Sequence, residues 1–296
     1  MIRQKIVKSV LNKQKKRDSW FLDEYSVNPY EGCRCNCLYC YIRGSKYGEN
    51  IENGISIKQN ALEVLDKQLA NRAKKNQYGF VALGSATDAY MAIEKEIGLS
   101  QGFLRLFLKH RFPVFISTKM ELIRRDIALL REIDQQAILP EDLRGKLSGG
   151  TILSISLSTL DEKISDILEA AAAKSMKRLE TLKALKEEGF FVGVNAIPML
   201  PYISDTDEAL EKIISASRDY GADYILIGSM TLFGEDRSDS RTLLYKFLER
   251  YDPGLISKYD RLYNGKFYVP RSYQEALSTR ANQICAKYQI RNRILA

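Results

Sequence analysis

Residues 150–199 read GTILSISLSTLDEKISDILEAAAAKSMKRLETLKALKEEGFFVGVNAIPM, and this stretch indicates the fold. It begins and ends with β-rich apolar runs at 150–158 and 190–199, and the residues between them, 161–188, repeat leucine at helical spacing. A strand, a helix and a second strand in this order form the unit that joins parallel strands. The alanine-rich run Glu169–Lys174 is expected to extend the helix without a break.

The same alternation continues on both sides of this stretch. Strand-like runs recur at 80–87, 113–118 and 223–231, and helical spacing recurs at 57–75, 95–110, 121–134 and 205–220. With one more strand before the cysteine-rich segment, the chain has about six β/α units, which predicts an α/β fold, a partial (β/α)6 TIM-like barrel. Ligands of such a barrel bind at the carboxyl ends of the strands, so functional residues are expected there.

Three regions are expected along the chain. Residues 1–26 form a basic N-terminal arm without a periodic pattern, 27–235 form the barrel, and 236–296 form a helical C-terminal extension. The segment near 135–150 contains a proline and a Ser-Gly-Gly sequence, so we expect it to bulge from the helical side of the barrel.

Four of the five cysteines lie within eight residues, in the segment NPYEGCRCNCLYCY at 28–41. Soft thiolates favour zinc, copper(I) or an iron–sulfur cluster. A closed zinc site usually takes two separated pairs of ligands, but this chain has no second pair and its only histidine lies far away. Cys33, Cys37 and Cys40, separated by three and two residues, suit a cluster that keeps one iron open. Cys35 fits no such spacing and is interpreted as non-ligating.

This spacing, with Tyr39 before the last ligand, resembles the signature of the radical S-adenosylmethionine (SAM) superfamily. The resemblance implies a [4Fe–4S] cluster on Cys33, Cys37 and Cys40, SAM at the open iron, and an electron donor such as flavodoxin or ferredoxin. In that family the reduced cluster cleaves SAM to a 5′-deoxyadenosyl radical, which abstracts hydrogen from a substrate. Tyr39 is then expected to contact the adenine of SAM.

Further segments resemble the spore photoproduct lyase-related group of this superfamily, over roughly residues 25–235. They follow predicted strands and comprise Asn28-Pro29-Tyr30 with Gly32, Gly84–Tyr90, Ser117–Lys119 and Ser154–Asp161. The resemblance places Gly84 and Ser85 near the methionyl amino group, Lys119 and Ser156 at the methionyl carboxylate, and Asn195, Ile197 and Pro198 along the nucleoside. Arg178 resembles a family arginine. Ala86 stands where photoproduct lyases carry the cysteine that returns hydrogen to the product, so strict photoproduct repair is not expected.

The charge distribution suggests an anionic partner. The net charge is +8, and seven basic residues precede the first acid, Asp18. Basic residues also populate the C-terminal end, so both termini are expected to flank a ligand, and nucleic acid is the expected partner. We find neither a signal peptide nor an apolar run of about 18 residues, which predicts a cytoplasmic protein without a membrane partner.

Three functions are compatible with these observations. The first is a lyase-like radical SAM enzyme that abstracts hydrogen from a nucleic acid or a nucleotide-like substrate. The second keeps the cofactors but acts on a small metabolite or peptide, with Tyr30, Tyr90 and Tyr202 as pocket walls. The third is a zinc-stabilised nucleic-acid-binding module that does not turn over SAM.

Overall fold

The computed structural model describes residues 2–46 and 54–295, and the strands and helices below belong to these ranges. The strands are β1 (Ile2–Lys5), β2 (Asn12–Lys13), β3 (Asp23–Val27), β4 (Tyr30–Glu31), β5 (Ile55–Lys58), β6 (Phe80–Leu83), β7 (Val114–Thr118), β8 (Thr151–Ser156), β9 (Val192–Ala196) and β10 (Ile225–Ile227). The helices are α1 (Ala61–Lys74), α2 (Glu94–Ile97), α3 (Leu99–His110), α4 (Ile127–Gln136), α5 (Glu162–Leu168), α6 (Ser175–Glu187), α7 (Asp207–Asp219), α8 (Ser240–Tyr251), α9 (Gly254–Tyr263) and α10 (Arg271–Lys287).

The main sheet has seven strands in the order β10–β9–β8–β7–β6–β3–β2. Neighbours from β3 to β10 are parallel, and β2 joins β3 antiparallel at the edge. Parallel strands must be joined by crossovers, which here contain the helices between β6 and β10. The six parallel strands confirm the predicted partial (β/α)6 barrel.

The N-terminal segment is more ordered than its composition suggests. β1 pairs with β5, and β5 also pairs with β4, so these three strands form a small second sheet. The first barrel strand begins at Asp23, inside the segment 1–26 that we expected to lack a pattern. The expectation that this segment lacks a regular pattern was wrong, because β1 pairs with the distant β5 and β2 pairs with β3 inside the segment. The division into an arm, a barrel and an extension stays a prediction.

Two apolar cores lie on opposite faces of the main sheet. The larger one contains strand residues such as Val81 and Ile116 together with the buried faces of the helices. The second, which we call the inner core, contains Phe80, Phe115 and Ile152. These residues alternate with the first set and lie at the amino ends of their strands. The barrel interior is therefore filled by apolar side chains at its amino end.

The segment 135–150 helps to fill that end, which corrects our expectation that it bulges away. Leu143 is 1% exposed and packs in the inner core, with Leu139 and Leu147 against it. Leu22 and Ile294 join the same core. Burying these leucines outweighs the loop preference of proline and glycine nearby.

Residues 161–188 do not form one continuous helix, contrary to expectation. α5 ends at Leu168 and α6 begins at Ser175, although four alanines lie between them. The Ala173 amide donates instead to the Lys119 carbonyl at 3.3 Å. Helix propensity is a weak preference, and the buried contacts of Glu169 described below override it.

Local capping residues begin two of the helices. Asp161 accepts hydrogen bonds from the amides of Lys163 and Ile164 at the start of α5, and Thr206 accepts from the Ala209 amide at the start of α7. Helices α8, α9 and α10 follow the barrel. Across the described ranges, no helix combines the length and the apolar character needed to cross a membrane.

Candidate cofactor site

The cysteine segment forms a loop after β3 that contacts the loops after β6 and β8. Gly32 has φ +81°, and a Cβ atom there would come within 2.6 Å of the Gly54 carbonyl oxygen, so glycine is required. The Thr87 hydroxyl donates to the Gly32 carbonyl at 2.7 Å, and the Leu38 amide donates to the Leu168 carbonyl at 2.9 Å. The loop is therefore fixed from two sides of the barrel mouth.

Arg43 holds the loop from within. Its Nε donates to the Cys37 carbonyl at 3.1 Å, and one terminal nitrogen donates to Asn36 Oδ1 at 2.5 Å. The other terminal nitrogen donates to the Ser238 carbonyl at 3.3 Å. One guanidinium thus joins two points of the cysteine loop to the segment before α8.

The predicted ligands are free thiols, and they lie close enough for the charge of one to shift the pKa of another. Cys37 is buried, and Cys33 and Cys40 are half-buried. The pKa of the Cys33 thiol is lowered to about 7 because the Cys35 thiol donates a hydrogen bond to it. Burial raises the pKa of Cys37 and of Cys40, and negative charge on Cys33 raises both further.

Three thiols on one loop are a donor set that suits an iron–sulfur cluster. Within residues 2–46 and 54–295, no three His, Cys, Asp or Glu side chains are close enough to share one metal ion. A cluster is larger than an ion, and thiolates are its usual ligands. The non-ligating role of Cys35 stays a prediction. Cys285 lies apart in α10, where burial raises the pKa of its thiol to about 12.

The loop after β6 places Gly84 and Ser85 beside the cysteine loop. Gly84 has φ +87°, and a Cβ atom there would lie 2.6 Å from the Thr87 carbonyl oxygen. The exposed Ser85 accepts from Asn28 Nδ2 through its hydroxyl at 3.1 Å and from the Tyr41 hydroxyl through its carbonyl at 2.7 Å. These contacts attach the loop to residues before and after the cysteines.

Asp88, to which sequence reasoning assigned no role, ties this loop to the end of β7. One carboxylate oxygen accepts from the Thr118 hydroxyl at 2.7 Å, and the other accepts from the Lys119 amide at 2.8 Å. The Asp88 amide donates to the Cys33 sulfur at 3.5 Å. Asp88 therefore positions Lys119 relative to a predicted cluster ligand.

Lys119 and Ser156 meet as side chains at the ends of β7 and β8. The Lys119 ammonium donates to the Ser156 hydroxyl at 2.5 Å, and its side chain is only 12% exposed. Its nitrogen lies 3.6 Å from a carboxylate oxygen of Glu169 and 6.0 Å from the centroid of the Tyr39 ring. Lys119 is thus held in place and is not a freely solvated lysine.

Glu169 is the buried centre of this cluster of side chains. It forms an ion pair with Arg178 at 2.5 Å, and both side chains are 2% exposed. The Tyr39 hydroxyl donates to Glu169 and lies 2.9 Å from the Ser158 hydroxyl. Burial raises the pKa of Glu169, while Arg178 opposes that shift. One carboxylate therefore connects the cysteine loop to the strand ends.

The arrangement leaves positive charge for a ligand. Glu169 supplies one negative charge to the two cations around it, Lys119 and Arg178. Arg178 pairs with Glu169 and also donates to the carbonyls of Ala173 and Ser156 at 2.6 and 3.1 Å, so each of its three nitrogens already has a partner in the protein. Lys119 consequently has the ammonium available for an added carboxylate.

Asn195 carries an unused hydrogen-bond acceptor at the end of β9. Its Nδ2 donates to the Ser117 hydroxyl at 3.1 Å, while its buried Oδ1 has no partner among the described residues. Asn195 is paired with Ser156 in the sheet register, so the two share an edge of the site. Ile197 and Pro198 follow as half-buried residues. A polar ligand group can satisfy the Asn195 oxygen.

Two of the tyrosines considered as pocket walls are core residues. Tyr30 is 1% exposed and donates to Glu94, and Tyr90 is fully buried. Tyr202 is 39% exposed in the loop after β9. The structure therefore removes Tyr30 and Tyr90 from the expected lining of a metabolite pocket.

A comparison with protein families identifies the chain. The family model described as the Radical SAM superfamily matches residues 27–215, which is more than half of the sequence. The chain belongs to the radical SAM superfamily. It is a radical SAM enzyme, and this membership implies SAM and an iron–sulfur cluster as cofactors.

Relatives of this radical SAM enzyme occur in bacteria and archaea. An uncharacterized protein of Mycobacterium tuberculosis is 28% identical over 272 residues, which are 90% of this chain and 75% of the relative. An uncharacterized protein of Methanocaldococcus jannaschii is 24% identical over 188 residues, which are 62% of this chain and 63% of the relative.

Solved structures of spore photoproduct lyase share the fold of the radical SAM enzyme. One mutant superimposes with a TM-score of 0.67 at 12% identity, covering 97% of this chain and 79% of the other. A second mutant, with bound AdoMet and dinucleoside spore photoproduct, gives 0.66 at 14% identity with the same coverage. The barrel is therefore of the spore photoproduct lyase type.

The structure brings most of the predicted residues of the radical SAM enzyme to one end of the barrel. Direct contacts join Tyr39, Lys119 and Ser156 through Glu169, and Asn195 neighbours Ser156 in the sheet. Ser85 contacts the rim of the cysteine loop. Their roles at SAM stay predictions.

Sequence reasoning gave no role to three charged residues that organise this end. Asp88 stood inside a recognised segment, and its position after a strand was the signal that could have found it. Glu169 lay in an alanine-rich run that suggested a plain helix. Arg43 followed the last cysteine without any pattern, and only the folded loop shows what it contacts.

Proposed function

We propose that this radical SAM enzyme holds a [4Fe–4S] cluster on Cys33, Cys37 and Cys40, and acts on a nucleic acid or a nucleotide-like substrate. When bound, the cluster and SAM supply the radical chemistry that removes hydrogen from the substrate. A flavodoxin or ferredoxin would supply the electron. The protein's own contribution is to bind and orient these groups and to keep other hydrogen sources away.

The main structural support for this proposal is the Lys119–Ser156 pair beside the cysteine loop. The ammonium and hydroxyl are 2.5 Å apart, and Glu169 neutralises only part of the local positive charge. A methionyl carboxylate can accept from both donors at once. Such charge-assisted hydrogen bonds are strong when water is scarce, and Lys119 is mostly buried.

The neighbouring residues suit the rest of SAM. The tight turn at Gly84, with φ +87°, places the exposed Ser85 beside the cysteine loop, which is where the proposal puts the methionyl amino group. The free oxygen of Asn195 suits a ribose hydroxyl, with Ile197 as an apolar neighbour. The Tyr39 hydroxyl donates to Glu169, so the side chain is fixed. In the proposal, the backbone of Tyr39 in the cysteine loop contacts the adenine of SAM.

The N-terminal cations support an anionic substrate. Arg3, Lys8, Lys13, Lys15 and Lys16 are exposed, and the strand that carries Arg3 belongs to the sheet that includes part of the cysteine loop. The C-terminal cations contribute less than we expected, because several form ion pairs within the chain. These pairs are Arg271–Glu275, Arg280–Asp207 and Lys287–Glu211.

Anaerobic reconstitution tests the cofactor part of the proposal. Protein supplied with iron and sulfide should bind about four irons per chain. After reduction by dithionite, it should release 5′-deoxyadenosine from SAM. A colourless protein that instead retains zinc and leaves SAM intact contradicts the proposal.

Salt-dependent binding tests the substrate part. Single-stranded DNA, duplex DNA and RNA should bind at low salt and dissociate as salt rises, because phosphate contacts release counterions. Replacing Lys13, Lys15 and Lys16 with alanine should reduce the salt slope by about three. The matched control replaces the exposed lysines 163, 177 and 183 with alanine. Absence of binding at low salt contradicts a nucleic-acid substrate.

A further inference from the structure

Arg43 is a nearly buried cation without an acidic partner. The residue is 8% exposed, and its three hydrogen bonds go to neutral oxygens of Cys37, Asn36 and Ser238. Among the residues that the structure describes, no carboxylate oxygen lies within 4.0 Å of its guanidinium. Neutral acceptors bind each of its three nitrogens but leave its charge without an ion-pair partner.

Other shielded arginines near the strand ends are compensated. Arg178 pairs with Glu169 at 2.5 Å, and Arg125 pairs with both Glu94 and Asp126 at 2.8 Å. Removing a charge from water is costly, so buried charges are normally paired. Arg43 departs from this rule in the loop that carries the predicted cluster ligands.

The nearby acid Asp239 does not serve as the missing partner. It lies beside Gly44, where an added Cβ would come within 2.8 Å of its carboxyl carbon. Its carboxylate accepts from the Asp236 amide at 2.9 Å and forms no ion pair with Arg43. The charge of Arg43 is therefore left to pair with a group that binds to the loop.

We propose that Arg43 is the counter-ion of the iron–sulfur cluster. This inference rests on the proposed [4Fe–4S] site. Three thiolates give the oxidised cluster a net negative charge, and reduction adds one electron without changing the ligands. Arg43 touches the Cys37 carbonyl and lies three residues beyond Cys40, so its charge favours the more negative, reduced form. Arg43 thus tunes the potential at which the enzyme accepts its electron.

Two substitutions separate the charge of Arg43 from its hydrogen bonds. Arg43→Lys keeps a cation but loses the forked donor, and Arg43→Gln keeps an amide donor but loses the charge. Arg34→Gln is the matched control, because it removes one positive charge from an exposed side chain of the same loop. The wild type and the three variants are reconstituted to equal iron content. Each is then titrated anaerobically with reductant, and the reduced cluster is measured by electron paramagnetic resonance.

The charge of Arg43 should dominate the result. At the wild-type midpoint potential, Arg43→Gln should lower the ratio of reduced to oxidised cluster about tenfold, a shift of about 59 mV to more negative potential. Arg43→Lys and Arg34→Gln should change the ratio less than about threefold, because the first keeps the charge and solvent screens the second. Equal ratios in Arg43→Gln and Arg34→Gln overturn the proposal.

Failure to assemble the cluster is also informative. If Arg43→Gln loses the cluster while Arg43→Lys retains it, with matching circular dichroism of the iron-free proteins, the charge is required and the proposal stands. If both variants lose the cluster, Arg43 is only a structural clasp and the proposal is wrong. If the wild-type protein binds no cluster, the proposed function itself fails.

Discussion

The two ends of the barrel interior are occupied by opposite kinds of side chain. At the amino ends of the strands, Leu22, Leu143 and Ile294 pack among aromatic and aliphatic residues. At the carboxyl ends, Lys119 and Ser156 meet beneath the cysteine loop and carry polar groups suited to a ligand. The amino end therefore contributes stability through apolar burial, whereas the carboxyl end keeps charged and polar side chains at the proposed cofactor site.

Removing the cluster ligands should have the largest effect and should leave the apolar end intact. Cys33→Ala, Cys37→Ala and Cys40→Ala are each expected to abolish the visible absorbance of the cluster and SAM cleavage. Cys35→Ala is the matched control from the same loop and should retain both. Iron loss from Cys35→Ala as complete as from the other three would mean that the open-iron arrangement is wrong.

Truncation at the apolar end should reduce stability without changing the site. Leu143→Ala is expected to lower the free energy of unfolding by about 2–5 kcal/mol, because it leaves a cavity in the inner core. Chemical denaturation measures this loss, and Leu62→Ala, at a leucine that is 41% exposed, is the control. SAM affinity of folded, iron-replete Leu143→Ala should equal that of the wild type. A weaker affinity would show that the two ends are coupled.

Lys119→Met should weaken SAM binding while the cluster assembles normally. The substitution keeps the apolar stem and removes the ammonium, so about 1.5–3 kcal/mol of binding energy should be lost, roughly ten- to a hundredfold in Kd. Equilibrium binding at matched iron content measures the change, with the exposed Lys163→Met as control. Unchanged SAM affinity in iron-replete Lys119→Met would mean that Lys119 has only a structural role.

Asn195→Ala should have the smallest effect on the cofactor. Losing one neutral hydrogen bond costs about 0.5–1.5 kcal/mol, roughly two- to tenfold in Kd. 5′-Methylthioadenosine shares the nucleoside but lacks the amino-acid group of SAM, so it separates the two predicted contacts. Asn195→Ala should weaken binding of both ligands, whereas Lys119→Met should weaken only SAM. If Lys119→Met weakened binding of both ligands and Asn195→Ala weakened only SAM, Lys119 would contact the nucleoside and Asn195 the amino-acid group.

Local sequence patterns predicted the strands, the helices and the family of the protein well. Apolar runs such as 151–156 form buried parallel strands, and α5 and α7 begin at the local capping residues Asp161 and Thr206. The thiol spacing and the segments after the strands led to the family, which the match over residues 27–215 confirms. These features depend on neighbours in sequence, which is why the sequence alone revealed them.

Features that depend on distant partners were not predictable in this way. The break between α5 and α6 arises because Glu169 meets Lys119 and Arg178 in a buried site, and composition favoured an uninterrupted helix. Leu143 fills the amino end only because the strands leave an apolar space there. Long-range burial and charge pairing decide both cases, and neither leaves a periodic signal.

Electron paramagnetic resonance of the reduced protein, before and after addition of SAM, shows whether SAM binds to the cluster. If SAM binds the open iron of a cluster held by Cys33, Cys37 and Cys40, the signal of the wild type and of Cys35→Ala should change when SAM is added. 5′-Methylthioadenosine, which lacks the chelating amino and carboxylate groups, should leave the signal unchanged. A cluster signal that is the same with and without saturating SAM would mean that SAM does not bind to an open iron of this cluster.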